Sequence, residues 1–245
     1  MLGNNLRILQ ANLNKNDKAT ESTLQRAIEL SVDIVAVQEP WLTDYSQSPP
    51  DFSNARSIAH TSFVQILPSL PHRSTRPRVL LYISRFLQAQ INPIHDFSSP
   101  DPDFLAVSVK SRHFQFTLFN IYDEKDLLGS ASRTIERILL PNTIPPSSLL
   151  LGDFNTHHHW WDPSTSFISP GADSFVEWIE TQNLMLLNTP GDGTFFRSNM
   201  SRASVLDLSL CTRDLESRIQ DWQVIQPAGS DHSSILFTLQ ALSGN

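Results

Sequence analysis

Cysteine is nearly missing: Cys211 stands alone among 245 residues, which excludes an internal disulfide framework and fits a reducing compartment. Long apolar runs are missing too. No stretch approaches the ~20 residues that span a bilayer, and the opening MLGNNLRILQ lacks the basic and apolar regions of a secretory signal. The expectation is a soluble intracellular protein with no membrane partner. Nor is there an excess of positive charge, since 18 Lys and Arg against 25 Asp and Glu leave a net charge of −7. That balance argues mildly against a non-specific nucleic-acid binder, yet carboxylates gathered around a metal would also produce it. Repeats, low-complexity tracts and linkers are absent. With 40% hydrophobic residues the chain can bury a sizeable core, and no seam divides it, so residues 1–245 read as one domain.

Apolar runs of strand length recur from end to end, at 6–13, 32–38, 57–67, 78–84, 103–109, 113–122, 148–153, 204–210, 221–226 and 233–240. The fifth and sixth read as a hairpin turning at 110–112. Helical spacing appears from Asp17 to about residue 30, with Asp17 or Thr20 as N-cap, again over 127–140 up to Pro141, and over 173–182. Many strands with three helices among them imply two packed sheets flanked by helices.

Short polar motifs close or open these runs. Glu39 follows the apolar strand ending Val37-Gln38, so its carboxylate emerges at an edge. A hard cation such as Mg²⁺ takes oxygen ligands and keeps several waters, so one or two such carboxylates suffice to hold it. In Gly152-Asp153-Phe154-Asn155, strand alternation would turn Asp153 and Asn155 to one side and Phe154 to the other. An acid beside an amide can orient a phosphate oxygen and stabilise a leaving group, although the same four residues also suit a turn. Ser230-Asp231-His232 offers an imidazole that titrates near neutrality beside a carboxylate. Asp207, in the apolar run 204–210, is the candidate to fix that ring, because a charge in such a strand is costly unless paired.

The ordered set Asn12, Glu39, Asn120-Ile121-Tyr122, Gly152-Asp153-Phe154-Asn155, Asp207 and Ser230-Asp231-His232 resembles the endonuclease/exonuclease/phosphatase superfamily, over residues 6–239. Thr194-Phe195-Phe196 followed by FRSNMSRA and the Asp207 strand, the Gln38-Glu39-Pro40-Trp41 motif and the His-rich GDFNTHHHWWD are similar to the endonuclease domains of non-LTR retrotransposons. The resemblance implies a DNase I-like fold, a four-layer sandwich of two mainly antiparallel sheets with helices outside. It also implies a Mg²⁺-dependent endonuclease, with Mn²⁺ as substitute, that nicks one strand of double-stranded DNA. The 3′-hydroxyl so formed would prime a reverse transcriptase carried in the parent polyprotein, in the nucleus.

Roles follow from that resemblance. Glu39 would bind the metal, with Asn12 and Asp231 as further metal-pocket groups. His232, held by Asp207, would contact the scissile phosphate and help activate water. Asp153 would orient the nucleophile or serve the leaving group, Asn155 would hold a phosphate oxygen, and the Tyr122 hydroxyl would contact the phosphate. Asn120, Thr194 and Ser230 would support the substrate pocket, Arg197, Asn199 and Arg202 are candidates for phosphate contact, and the hairpin that carries Arg197 and Arg202 would enter the minor groove. After Tyr122 the acidic run Asp123, Glu124, Lys125 and Asp126 departs from the superfamily's usual proline. Arg73, Arg76 and Arg78 are further candidates for phosphate contact. His157, His158 and His159 cannot all face one ion, being consecutive, so with Trp160 and Trp161 they are expected to pack or to line the groove. Abasic-site repair, another phosphoesterase activity, or a decayed domain that only binds nucleic acid are the alternatives.

Overall fold

The period of two along each strand decides the architecture, because the inner strands are buried on both faces and send alternate residues to different layers. The computed structural model describes residues 5–43, 51–95, 97, 100–124 and 133–242. Twelve strands form two six-stranded sheets. The first holds β1 (Leu6–Asn12), β2 (Ile34–Gln38), β3 (Phe63–Ile66), β4 (Val79–Ser84), β11 (Ile219–Ile225) and β12 (Ser234–Leu239), in the order β11-β12-β1-β2-β4-β3. The second holds β5 (Gln90–Pro93), β6 (Phe104–Lys110), β7 (Gln115–Tyr122), β8 (Ser148–Asp153), β9 (Leu184–Leu186) and β10 (Asp207–Thr212), in the order β5-β6-β7-β8-β10-β9. Among the described residues only β1–β2 and β7–β8 pair in parallel. The sheets are mainly antiparallel, as expected.

The inward set of both sheets makes the central core: Leu6 and Ile8 of β1, Ile34 and Ala36 of β2, Leu149 and Leu151 of β8, and Ile235 and Phe237 of β12. The alternate residues make the outer layers. Leu9, Ala11, Val35 and Val37 pack under helix α1 (Asp17–Glu29) through Ala19, Leu24 and Ala27. Leu150, Leu208 and Leu210 pack under α2 (Ala172–Thr181) through Phe175 and Ile179. Each of the Leu, Ile, Val and Phe side chains, fully buried, contributes about 1.5–3 kcal/mol. The result is the four-layer DNase I-like sandwich.

Several expectations need correction. The N-cap of α1 is Asn16, whose side chain accepts from Ala19 N at 2.9 Å, rather than Asp17 or Thr20. Of the run 57–67 only Phe63–Ile66 pairs; before it, Gln65 folds back to satisfy Ser57 and Ile58. The helix expected at 127–140 begins outside the described residues, and its described part is a single π-helical turn, Ile135–Leu139, ended as expected before Pro141. The short strands β5 and β9 and the helix α3 (Arg213–Glu216) are too brief to show a period.

The two sheets share one plan. Read from β11 and β5 respectively, each runs antiparallel, antiparallel, parallel, antiparallel, antiparallel. No repeat is visible in the sequence. In both sheets the parallel pair ends, at its C-terminal side, in polar residues, and the inward face changes there from apolar to polar.

Candidate active site

That polar end of the seam is built by continuing the inward alternation. In β1 it brings Gln10 and Asn12 after Leu6 and Ile8; in β2 it brings Gln38; in β7, Asn120 and Tyr122; in β8, Asp153; in β10, Asp207 and Ser209. Amides cross the seam and satisfy the other sheet. Gln10 donates to Gly152 O at 2.9 Å and accepts from Ser209 Oγ at 3.2 Å. Gln38 donates to Asn120 Oδ1 at 2.6 Å. Asn120 in turn donates to Val37 O and Leu80 O at 3.0 and 2.9 Å. Asn120 is thus a fully buried brace between the sheets, with its amide spent there rather than in a substrate pocket.

At the mouth of the seam Asp153 Oδ2 accepts from Asn12 Nδ2 at 2.8 Å and from Asn155 Nδ2 at 3.1 Å. Asp207 lies opposite Asp153 in register, and its Oδ2 is 2.8 Å from His232 Nδ1. His232 Nε2 faces Asp153 Oδ2 at 3.9 Å. Asp153, Asp207 and His232, all buried, form the one cluster of acids and imidazole among the described residues with donor atoms convergent enough for an ion. Burial, then the Asp207 charge, push the Asp153 carboxyl well up; His232 opposes them. For His232 burial works against the charged ring, but Asp207, Asp153 and Asp231 outweigh it and raise the imidazole to about 9. Tyr122 is raised by burial and then by the Glu39 and Asp153 charges, so its hydroxyl stays a neutral donor.

The Gly-Asp-Phe-Asn segment is neither plain strand nor plain turn. Gly152 ends within β8, where a Cβ would stand 2.3 Å from Ile121 O, so no other residue fits. Phe154 turns away and stacks on Phe175 at 5.2 Å. Asn155 reaches Asp153 by a different geometry from strand alternation: its φ is 46°, and its N–H caps Asp153 Oδ1 at 3.0 Å. Arg133 holds this bend. One guanidinium nitrogen meets Phe154 O at 2.8 Å, Asn155 O at 3.4 Å, Thr156 Oγ1 and the buried Asp123. The carboxyl of Asp123, raised to about 6 by burial against the pull of Arg133, is therefore an internal anchor and not part of an exposed acidic loop. Lys125 and Asp126 lie outside the described residues.

Thr194 and Ser230 support the main chain. Thr194 Oγ1 accepts from Leu206 N and Asp207 N at 3.1 and 3.0 Å, and its carbonyl accepts from Ser233 N at 2.7 Å. Thr194 therefore joins the strand entries that carry Asp207 and His232. Ser230 Oγ accepts from His232 N at 3.2 Å. The metal candidates Glu39 and Asp231 each carry a cation. Lys15 Nζ is 2.9 Å from Glu39 Oε1, and Arg197 Nε is 2.9 Å from Asp231 Oδ2. Asn14, a residue that carried no role from the sequence, donates to Asp231 Oδ1 at 3.2 Å.

In the hairpin segment that follows Thr194, Asn199 is exposed, Arg197 lies over the Phe195 ring, and Arg202 pairs with the fully buried Asp162 at 2.9 and 3.1 Å. Arg202 thus pins the hairpin to the loop after β8. Of the other arginines, Arg78 is tied to Asp103 and Glu124 and lies over Tyr122. His158 meets Asp173 at 3.3 Å. Trp161 is buried, donating to Thr156 O at 3.0 Å, while Trp160 is partly exposed. Arg133, Gln10, Gln38 and Lys15 went unremarked as functional in the sequence, and Arg78, a candidate for phosphate contact, is instead engaged by acids. For the two glutamines a signal was present: each is a polar residue on the inward register of a strand otherwise apolar.

A hard divalent cation fits this donor set. Asp207 Oδ1 is a buried carboxylate oxygen without a hydrogen-bond partner, which is costly for such an atom, and Glu39 Oε1 faces only the Lys15 ammonium, with no well-directed hydrogen bond. No helix among the described residues is long and apolar enough to cross a membrane.

Residues 116–236 match the profile of the endonuclease–reverse transcriptase family. The fold is similar to that of the endonuclease domain of TRAS1, a telomere-specific non-LTR retrotransposon, with a TM-score of 0.75 and 20% identity, covering 97% of this chain and 100% of that one. It is also similar to an AP endonuclease from Leishmania major (TM-score 0.70, 14% identity, 97% and 88% covered). A third likeness is a 3′-5′ exonuclease from Neisseria meningitidis (TM-score 0.64, 14% identity, 96% and 100% covered). No curated protein matches. The matched segment carries Asp153, Asp207 and His232, Asn12 donates to the first of these from outside it, and the fold is the one shared with these nuclease structures.

Proposed function

We infer that this protein is a Mg²⁺-dependent endonuclease that nicks one strand of double-stranded DNA and leaves a 3′-hydroxyl to prime reverse transcription. The observation that carries the reading is the buried Asp207–His232–Asp153 array with Asn12 and Asn155 on the last carboxylate. The likeness to a retrotransposon endonuclease domain supports a reverse transcriptase as partner domain and the nucleus as the site of action.

Asp207 fixes the ring of His232 by taking Nδ1, which leaves Nε2 to face the pocket as a donor to a phosphate oxygen. Asp153, with its carboxyl raised, is matched to receive a proton from an attacking water near neutral pH. Asn12 and Asn155 hold that carboxylate still, and Tyr122 adds a neutral hydroxyl donor. Glu39 would hold the metal, with Asn12 and Asp231 nearby; Mn²⁺ is expected to substitute. When bound, the ion supplies positive charge for the phosphate oxygens and the leaving group.

The test is conversion of supercoiled plasmid to open circle in Mg²⁺ and in EDTA, beside the His232→Ala and Glu39→Ala variants. Mg²⁺-dependent nicking lost in both variants supports the reading. Equal nicking by either variant removes the site assignment, and no nicking by folded protein favours the decayed domain. A second reading, cleavage at abasic sites, draws on the Phe195 ring beside His232 at 4.8 Å, an apolar wall next to the phosphate-facing group. An abasic duplex cut faster than an intact one would select it.

A further inference from the structure

Glu39 does not stand alone at the pocket. Its Oε1 lies 2.9 Å from the ammonium of Lys15, a side chain half exposed while Glu39 is buried. Ordinary surface pairs of this kind contribute little and form wherever two long side chains meet. This one is held by the backbone. The parallel pairing of β1 with β2 continues past both strand ends, with Leu13 N donating to Gln38 O at 2.9 Å and Lys15 N to Glu39 O at 2.8 Å. To keep that register Asn14, Lys15 and Glu39 all adopt left-handed conformations, with φ of 46°, 57° and 48°. Such conformations are unfavourable for residues with a Cβ and persist where the surroundings impose them, commonly at functional sites. Lys15 is thus locked beside Glu39 whether or not its ammonium touches the carboxylate.

We propose that Lys15 is a resident counter-cation of Glu39, displaced by the divalent ion and then turned to the phosphate of the DNA. In the metal-free protein the ammonium neutralises a buried carboxylate. The contact is one of charge without a directed hydrogen bond, so the oxygen stays open to a harder cation. When the ion takes the carboxylate, the main-chain bond from Lys15 to Glu39 O keeps the ammonium at the mouth of the pocket. There it is a free positive charge beside the groups that face the scissile diester. The companion acid repeats the pattern, Asp231 carrying Arg197.

This inference rests on Glu39 as a metal ligand, and the experiment separates the two. Mn²⁺ binding to the DNA-free protein is measured by the electron paramagnetic resonance of the free ion, for wild type, Lys15→Met and Glu39→Gln. Nicking at saturating Mg²⁺ then gives KM for plasmid. Lys15→Met should bind Mn²⁺ about threefold to tenfold more tightly at low salt, because a competing and repelling charge is gone. The same variant should show KM raised by about threefold to tenfold, through a lost phosphate contact, and Lys15→Arg should restore it. Opposite signs for metal and DNA are something a merely structural role would not produce. Unchanged or weaker Mn²⁺ binding by Lys15→Met, or an unchanged KM, overturns the inference alone if Glu39→Gln still weakens Mn²⁺ binding. Undiminished binding by Glu39→Gln overturns both.

Discussion

The two sheets have the same strand plan but opposite chemistry at equivalent places. Aligned on their parallel pairs, the second-last inward position is Gln10 in one sheet and Asn120 in the other, and the last residue of the second parallel strand is Gln38 in one and Asp153 in the other. Opposite that residue, on the next strand, stand Val79 and Asp207 respectively. The first pair is alike, an amide in each sheet, but at the next two places the first sheet offers an amide and an aliphatic side chain where the second offers two carboxylates. The lesson is electrical. Amides let two polar surfaces meet across a dry seam without adding charge. Concentrating the acids on one side makes Asp207 raise Asp153.

The comparison can be broken at several points. The largest effect is expected at the acidic sheet: Asp153→Asn or His232→Ala should lower the nicking rate by about 10³-fold or more at unchanged fold, read from plasmid time courses. Next is the hairpin pin. Arg202→Ala leaves the buried Asp162 unpaired and should cost about 3–5 kcal/mol in urea unfolding, an effect on stability that precedes any change in cleavage pattern. The amide sheet comes third. Asn120→Leu strips partners from Val37 O, Leu80 O and the Gln38 amide, and should cost about 2–4 kcal/mol, visible as a lowered urea midpoint; a loss below 0.5 kcal/mol would mean that the seam does not depend on this brace. A pH effect follows from His232. Its folded value, raised to about 9 from 6.5, adds stability that is complete below about pH 6.5 and fades as pH climbs through 9. In EDTA the unfolding free energy from urea titrations should fall over that window, by about 3 kcal/mol in all, and Asp207→Asn should flatten the curve. Smallest, Phe196→Ala on the exposed hairpin should change stability by about 0.5 kcal/mol or less.

Much of this was legible because the inward register serves both the core and the site. Leu6, Ile8 and the polar Asn12 share one alternation, so a strand run ending in a polar residue marks the place where core becomes pocket. Asp207 was readable on the same ground, as a charge in an apolar strand that must find a partner. The geometry of Asn155 was not, since a left-handed residue reaches the same neighbour that an extended one would. Arg133 and Arg202 were opaque for another reason: their partners Asp123 and Asp162 are buried by contacts far along the chain, which local pattern does not carry. Equally hidden was the common plan of the sheets, because layers with opposite chemistry share no sequence signal.

The amides that reach across the seam make the pocket a caliper. Asn12 sits in one sheet and Asp153 in the other, 2.8 Å apart, so the gap between the two sides of the proposed site is set by the thickness of the aliphatic filling behind them. A methylene removed from Leu151 or Ile8 would alter that thickness without touching a single reacting atom. Catalytic rate in this protein should therefore report, residue by residue, on the packing of its interior.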